Sequence, residues 1–565
     1  MSSTIVNASY NGASGVEQGL TTGKVGFATN TLRQATYFKG ELRNPLVLRE
    51  ALGAMHNVVI SDFRYQAKDR IAFQTWLAEQ DRKFLLTLKT KSAEAKVKLE
   101  DVEAKIADLN KKREERKKPF YQARQRYFEY VYTHQYELNY LFDPVITVHP
   151  DEVFFEAFSK DESSYARLGA KHSLFNKVDK FECGTTNIDF SAKLSRQLDR
   201  IRTYRKTDFD IAPGGLTVTH QGPAGGAHKE KKIELPESWV AGFHQVQSTM
   251  AMGLTSFEVA PIDLFNIIRV LNRKKTRTSP RALRWELVQG KRIKAVLEPW
   301  EMPVELATVW TGKDTIVRTW GRDRLKTLAR LLPVAKKVKV HLSGLGMPSI
   351  YDVDLGDVTF TLALSGWTDN DWAGGAKFDL LTRRLDGTPS DLLLTYGALK
   401  EPRFASDVAL AGKTGLGLEK TRSCLSYLCQ MGRAMFDLGG GVYRHRDLFF
   451  DAFTMKEAQA AVSAVVEEQN PLAKAARKIF QSDNVRVIAR RPVNTGFKLS
   501  GSVLGSKGDR VRPQLHVDPE GAIIEGTCTC SWFKSNQLAK GPCEHLLALR
   551  LAHMDKLEHE DKVIH

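Results

Sequence analysis

The segment GTCTCSWFKSNQLAKGPCEHLLALRLAH, residues 526–553, contains three of the six cysteines of the 565-residue chain and a histidine. Cys528 and Cys530 form a Cys-x-Cys pair, and after twelve further residues Cys543 and His545 form a Cys-x-His pair. Three thiolates and one imidazole complete a tetrahedral ligand set of the kind found in structural zinc sites. The segment therefore predicts one structural Zn(II) ion per chain, bound by these four side chains.

The residues around the four ligands predict strands before them and a helix after them. The segments GFKLSGSVLG and RPQLHVDPEGAIIEG alternate as strands do, and Gly541 and Pro542 predict the start of a leucine-rich helix. This order resembles the SWIM zinc finger over roughly residues 495–555. The resemblance implies the ligand role of Cys528, Cys530, Cys543 and His545 and a module that binds DNA or other proteins; it does not itself imply catalysis.

A second resemblance concerns the upstream sequence. The phrases ELPESWV, SPRALRWEL and LEPW resemble the long bacterial SWIM-domain proteins. Those proteins are thought to be encoded beside a MoxR-type AAA+ ATPase and a von Willebrand A-domain protein. This resemblance implies an AAA+ ATPase and a von Willebrand A-domain protein as partners.

The composition and charge restrict the function further. With 42% hydrophobic and 26% charged residues the chain can form sizeable cores, which excludes global disorder. Lys and Arg outnumber Asp and Glu by 83 to 66, a net charge of +17 that favours nucleic acid or an acidic protein as partner. Because neither a long apolar run nor a signal peptide is present in the sequence, we expect a cytoplasmic protein with no membrane partner.

The pattern of elements predicts a multidomain α/β (α+β) chain. Ala95, Leu99, Val102, Ile106 and Leu109 step by four and three residues as in a short coiled-coil seam, which can pair with its own return helix or with a second chain. The oligomeric state therefore stays open. The predicted regions are a polar segment and first helix at 1–61, a long helical hairpin or kinked coiled coil at 62–143, a mixed α/β domain with a strand-rich second half at 144–387, a winged-helix-like module at 388–454, a helical connector at 455–494, and the SWIM zinc finger with a C-terminal helix at 495–565.

The winged-helix-like module is predicted from the order of its elements. A short helix at 406–412, a glycine turn, a longer helix at 418–434 and a hairpin with three glycines at 439–441 follow one another. Such a module either reads DNA with its second helix and hairpin or serves only for packing and protein docking. The candidate contacts to nucleic acid or a partner are Glu419, Lys420, Arg422, Ser423, Tyr427 and Gln430 on the helix and Arg444, His445 and Arg446 on the hairpin.

Sequence motifs for catalysis are absent. Neither a nucleophile elbow, nor a metalloprotease helix, nor a glycine-rich cofactor loop is present, and Asp354, Asp357, Asp369 and Asp371 lie in or beside predicted turns. Three hypotheses follow. The first is a non-catalytic zinc adaptor that binds nucleic acid or protein; the second is an accessory subunit of the ATPase and von Willebrand A-domain assembly that acts through protein contacts alone; the third is an enzyme of unrecognised type.

Overall fold

The structure is a computed structural model, and it divides into two compact units, residues Met1–Phe63 with Phe142–His565 and residues Arg64–Leu141. The residues that it describes are 14–18, 22–29, 36–63, 102, 105–109, 144–188, 198–199, 201–202, 204, 206–212, 237–276, 280–344, 346–366, 371–373, 377–382, 387–449, 452–467, 470–505, 508–519 and 521–564.

In the second unit, residues 102 and 105–109 are helical. Val102, Ile106 and Leu109, three members of the predicted seam, are exposed there. Within the predicted helical pair at 62–143, the structure describes residues 62, 63, 102 and 105–109. Ala95 and Leu99 lie outside the described residues.

The larger unit contains the described strands and most of the described helices. The strands are β1 (Gly15–Gln18), β2 (Thr22–Ala28), β3 (Tyr37–Leu42), β4 (Val145–Val148), β5 (Glu152–Phe158), β6 (Ser164–Lys171), β7 (Phe175–Glu182), β8 (Gly184–Asn187), β9 (Lys206–Ala212), β10 (Thr255–Val259), β11 (Leu283–Leu287), β12 (Arg292–Leu297), β13 (Met302–Val309), β14 (Thr315–Thr319), β15 (Lys337–Leu342), β16 (Ser349–Asp354), β17 (Val358–Leu364), β18 (Phe404–Ala405), β19 (Ala434–Asp437), β20 (Val442–His445), β21 (Val485–Val493), β22 (Gly496–Leu504), β23 (Arg510–Val511), β24 (Gln514–Val517) and β25 (Ile523–Thr527).

The helices connect these strands and cover their faces. The α-helices are α1 (Pro45–Val59), α2 (Glu237–Met250), α3 (Pro261–Arg273), α4 (Pro389–Lys400), α5 (Asp407–Thr414), α6 (Leu418–Gln430), α7 (Met455–Glu467), α8 (Pro471–Gln481), α9 (Ser531–Asn536) and α10 (Glu544–Ile564), and short 3-10 helices span His172–Leu174, Arg322–Leu328, Leu332–Val334 and Phe378–Leu381. Among the described helices, none is both long enough and apolar enough to cross a lipid bilayer.

Two large sheets form the body. The first has the order β1-β2-β9-β3-β7, and the second has the order β10-β15-β16-β17-β6-β5-β4-β8. In the first sheet β2 pairs with β9 in parallel, and the other pairs are antiparallel. β1, β2 and β3, which lie in the segment 1–61 that we expected to be polar with one helix, therefore share a sheet with β7 and β9.

The alternation of side chains along β5 explains how the second sheet holds the β19–β20 hairpin. All seven residues of β5 are buried, so both of its faces are covered. On one face, Phe158 packs against Phe243 of α2 with ring centroids 5.0 Å apart. On that same face, Glu152 and Glu156 lie six and two residues before Phe158; Glu152 pairs with Arg444 of β20, and Glu156 pairs with Arg446, the residue after β20.

Three smaller sheets complete the unit. A four-stranded antiparallel sheet has the order β13-β12-β11-β14, and a three-stranded sheet has the order β18-β20-β19. The last sheet has the order β21-β22-β24-β25, with β23 paired to β22, and α10 packs on it. The prediction of a mixed α/β chain is confirmed. The segment at 455–494, predicted to be a helical connector, contains α7 and α8 and ends in β21, which is the hairpin partner of β22.

Candidate metal centre

The two pairs of ligands lie at the end of strand β25 and at the starts of helices α9 and α10. Cys528 directly follows β25, and Cys530 is the N-cap of α9, where its Sγ accepts a hydrogen bond from the backbone N–H of Phe533 at 3.3 Å. Cys543 precedes the first residue of α10, and its carbonyl accepts the N–H of Leu547 at 3.2 Å. Helix N-termini favour thiolates because their N–H groups point toward the sulfur.

The four ligand atoms lie close enough together for one metal ion. One ligand atom from each of Cys528, Cys530, Cys543 and His545 lies within 4.8 Å of the others, and all four residues are buried. For tetrahedral coordination with Zn–S bonds of about 2.3 Å, sulfur atoms lie about 3.8 Å apart, so a small contraction completes the site.

The histidine shows why the donor set fits a metal. His545 is 5% exposed, and neither of its ring nitrogens has a hydrogen-bond partner among the described residues. Its Nε2 lies 3.5 Å from the Glu544 carboxylate, beyond ordinary hydrogen-bond length. A buried imidazole without a hydrogen bond is costly, and coordination of a metal by one ring nitrogen removes part of that cost.

The thiols also favour a cation at this position. Hydrogen bonding from Cys543 lowers the pKa of Cys528 to about 4, and the same contact raises the pKa of Cys543. Burial raises the pKa of Cys530. Three adjacent thiolates repel one another in a buried site, so all three ionise together only if a cation balances their charge. The arrangement can therefore bind a metal ion.

The surroundings of the cluster are closely packed. A Cβ atom built on Gly505 would lie 2.7 Å from Nε2 of His545 and 2.6 Å from Oδ1 of Asp509. Only glycine fits this position without displacing a neighbour. Behind the ligands, Leu546 and Leu549 of α10 are fully buried, in agreement with the predicted leucine-rich helix.

The elements predicted for the winged-helix-like module are present in the predicted order. Helix α5, a glycine turn at Gly415, helix α6 and the β19–β20 hairpin follow one another, and α4 and β18 precede them. Thr388 and Asp391 form a capping box at the start of α4. The module is therefore a compact group of three helices and a three-stranded sheet.

The predicted DNA-reading face of α6 is largely occupied by the protein itself. Lys420 pairs with Asp391 at 2.8 Å, and Arg422 pairs with Asp407 at 2.7 Å and with Glu419 at 3.0 Å. Tyr427 and Ser423 are buried, contrary to the expectation that they face outward. The reason is that α6 is covered from several sides, since α2, α4 and α5 all pack against it.

The predicted contact at Gln430 lies in a cleft between α6 and α2. This small cleft is lined by Gln247, Ser248, Ala251, Thr382, Ser426, Cys429, Gln430, Phe436 and Tyr443. Burial raises the pKa of the Cys429 thiol to about 12, so this cysteine stays protonated. The placement agrees with the prediction that Cys424 and Cys429 face the core, where both are buried.

The hairpin side chains face the body rather than solvent. Arg444 contacts both carboxylate oxygens of Asp151 at 2.9 and 3.0 Å and lies 2.9 Å from Asp437. Arg446 is 0% exposed and pairs with the equally buried Glu156 at 3.2 Å. Both guanidinium groups are therefore already paired with carboxylates, and the expectation that they contact phosphates does not agree with their positions.

His445 is buried between the hairpin and α4. Its Nε2 lies 3.3 Å from the hydroxyl of Tyr396, and its backbone carbonyl lies 2.7 Å from Nε2 of His149. Burial, together with the nearby positive charge of Arg403, lowers the pKa of His445 to about 3. The imidazole is neutral at physiological pH and adds no positive charge for an anionic ligand.

A buried ionic network that the sequence analysis missed attaches the hairpin to the second sheet. Arg167 on β6 pairs with Glu152 on β5, and its guanidinium lies 3.4 Å from Asp437 on β19. The hydroxyl of Tyr165 donates to Glu156 at 2.8 Å. No local sequence signal indicates such a network, because its partners come from segments about 290 residues apart.

Two of the acidic residues weighed as catalytic candidates, Asp354 and Asp357, make structural contacts. Asp354 accepts the N–H of Gly356 at 2.7 Å in a turn. Asp357 accepts hydrogen bonds from Arg43 at 2.6 Å and Ser173 at 2.7 Å, and these contacts lower its pKa. Asp369 lies outside the described residues. Nothing in these contacts indicates catalysis.

Comparisons with known proteins add little. No family model matches the chain, and no curated protein matches it. Among solved structures, it is similar to the Proliferating Cellular Nuclear Antigen of Entamoeba histolytica, with 8% identity, a TM-score of 0.31, and coverage of 58% of this chain and 97% of that chain. PCNA from Thermococcus kodakaraensis is 12% identical, with a TM-score of 0.27 and coverage of 39% and 89%. At these TM-scores neither likeness establishes a shared fold.

Proposed function

We propose that this chain is a non-catalytic adaptor whose C-terminal module is a SWIM-type zinc finger. The observation behind the proposal is the set of four buried ligand atoms at Cys528, Cys530, Cys543 and His545. Three thiolates and one imidazole fill all four positions of a tetrahedral zinc ion, which leaves none for a substrate or a reactive water. The role of the metal is therefore to hold the module together.

Zinc in this position joins a strand and a helix of the module. It ties the end of β25 to the start of α10, and α10 in turn packs on the sheet, where a Cβ on Gly501 would lie 2.7 Å from Leu549. The guanidinium of Arg550 donates to the carbonyl of Leu380 at 2.9 Å. Gln245 of α2 holds the same segment by donating to Asp379 at 2.8 Å. The metal thus fixes a module that is docked on the body of the protein.

The adaptor binds an anionic partner, nucleic acid or an acidic protein, because its net charge is +17. In this proposal the winged-helix-like group of α4–α6 and the hairpin serves for packing, since the side chains expected to reach DNA are paired or buried.

A second candidate is an accessory, client-recognising subunit of a MoxR-type AAA+ ATPase and von Willebrand A-domain assembly, acting by protein contacts alone. The burial of most of α6 favours it, because a covered helix cannot enter a DNA groove. Copurification of an ATPase with the chain from its native source, together with failure to bind DNA at low salt, would favour this candidate over the first.

Metal analysis tests the zinc assignment. Protein purified without added metal should contain about one zinc ion per chain, and Cys543→Ser should lose it. Cys183→Ser is the matched control, because Cys183 is a half-buried thiol outside the cluster and its loss should leave the zinc in place. A wild-type chain without zinc would overturn the proposal.

A further inference from the structure

The outer face of the C-terminal sheet has an unusual excess of positive charge. One face of this sheet is covered by α10, since Leu499, Val503 and Leu515 are buried and a Cβ on Gly501 would meet Leu549. Side chains alternate along a strand, so Lys498, Ser500 and Ser502 point to the opposite, solvent side. That face is polar from Lys498 to Ser502.

A bulge places two arginines on this outer face. Arg486 is directly opposite Ser502, and Arg491 is directly opposite Lys498. Arg491 is five positions after Arg486, and this odd spacing would put the two arginines on opposite faces of a regular strand. The register shift between Val487 and Ala489 adds one residue and returns both arginines to the solvent side.

Among the residues that the structure describes, no acidic side chain pairs with the charges of this face. The basic face consists of the exposed residues Arg486, Arg491 and Lys498 and of the exposed Arg510 of β23, which lies opposite Leu504. The side chains of these residues make no ion pair or hydrogen bond in the part of the chain that the structure describes. Like charges directly opposite each other on neighbouring strands destabilise a sheet. The pair Arg491 and Lys498 is such a case, so its cost favours an external anion.

The neighbours of the basic face add hydrogen-bonding groups and little acid. Lys498 is opposite His516 on β24, and His516 is opposite Glu525 on β25, an exposed acid at the far side of the sheet. Asp509, next to Arg510, is also exposed. Gln514, Ser500 and Ser502 supply neutral donors near the basic residues.

The edge of the sheet at β21 is unsuited to an added strand. β21 is one of the two outer strands, with β25 on the other side, and Pro492 together with the bulge and the arginines interrupts the edge of β21. Such features protect edge strands from pairing with another chain. The charged face is therefore a better candidate for recognition than the backbone edge.

We propose that the basic face binds the phosphate backbone of duplex nucleic acid without reading its sequence. The outward side chains described on this sheet include no Phe, Tyr or Trp on which unpaired bases could stack, and Phe497 is used internally, with Arg490 4.7 Å above its ring. Phosphate contacts by arginine and lysine position a protein on DNA without specifying bases. This inference rests on the proposed adaptor function and names its partner.

Binding of a fluorescently labelled 20-base-pair duplex of random sequence, measured by anisotropy over a series of salt concentrations, tests the inference. The variant changes Arg486, Arg491 and Lys498 to Gln in the full-length chain. Removal of three phosphate contacts should reduce the slope of log K against log salt by about 2.7 and weaken binding on the order of 10–100-fold at about 0.1 M salt. The control changes Arg269, Arg273 and Lys275 to Gln.

The control residues are exposed on and just after α3 and make no side-chain ion pair in the described part of the chain. The control removes the same amount of positive charge but leaves the basic face intact. If the basic face binds the duplex, the slope for the control should stay near the wild-type value. Equal losses in both variants would mean that only net charge matters and would overturn the inference. Stronger binding of poly-glutamate or single strands than of the duplex would overturn it too.

Zinc content, measured on every protein used, separates the two proposals. A wild-type chain that contains zinc but does not bind the duplex at low salt refutes the basic face alone. A wild-type chain without zinc refutes the proposed zinc adaptor, whatever its affinity for DNA. A variant that keeps its zinc and a wild-type circular dichroism spectrum, yet loses duplex binding, supports both.

Discussion

Replacing Arg446 by Ala should destabilise the protein without changing its affinity for DNA. The Arg446 side chain is fully buried, lies 3.2 Å from a carboxylate oxygen of Glu156, and stands 4.4 Å above the ring of Phe243. Removal of the guanidinium leaves Glu156, itself 0% exposed, without its positive partner. Loss of one member of a buried ion pair costs about 3–5 kcal/mol of unfolding free energy.

Urea denaturation followed by tryptophan fluorescence gives the free energy of unfolding of this region. We expect the double substitution Arg446→Met with Glu156→Gln to recover most of the loss, because no uncompensated charge then remains and the amide oxygen still accepts from Tyr165. The opposite result would be an Arg446→Ala variant of wild-type stability whose DNA binding depends less on salt, as expected for the basic-face variant. That result would mean that Arg446 contacts phosphate, and it would refute the burial of Arg446 against Glu156.

Two further predictions concern the metal site and pH. Gly505→Ala should weaken zinc affinity roughly tenfold or more, because the new Cβ would push the His545 ring away from the position that it takes as a ligand. Competition with a chromophoric chelator measures the zinc affinity, and an unchanged affinity would contradict the close contact between residue 505 and His545. His445 binds protons in the unfolded chain near pH 6.5 but in the folded chain only near pH 3, so stability should fall with decreasing pH, by about 1 kcal/mol between pH 7 and pH 5.5. His445→Gln should make this dependence shallower, and an identical pH profile in the variant would refute the assignment.

Local sequence patterns predicted the features that are set by residues close together in the chain. The zinc ligands come from a segment of eighteen residues, 528–545, so their spacing alone indicates that they meet. The helices and hairpin of the winged-helix-like module also follow from local signals, namely the glycine turns at Gly415 and Gly441 and the capping serine Ser406. These elements lie within a few residues of the predicted positions.

Burial and long-range pairing could not be predicted in the same way. Outward positions on α6 were inferred from helix periodicity, which does not show how many neighbours cover a helix. Tyr427 is buried because it belongs to the hydrophobic core that α6 shares with α4. Arginines on a hairpin suggest an exposed basic surface, but Arg444 and Arg446 pair with carboxylates of β5 and the turn before it. The basic face was missed because the bulge at Ile488 changes which residues share a side.

Zinc K-edge X-ray absorption on the purified full-length protein tests the central claim most directly. The account predicts about one zinc ion per chain with three sulfur neighbours at about 2.3 Å and one nitrogen neighbour at about 2.0–2.1 Å. In Cys543→Ser, loss of the zinc or of one sulfur neighbour is expected. A chain without zinc, or zinc surrounded only by oxygen and nitrogen, would contradict the assignment of Cys528, Cys530, Cys543 and His545 as its ligands.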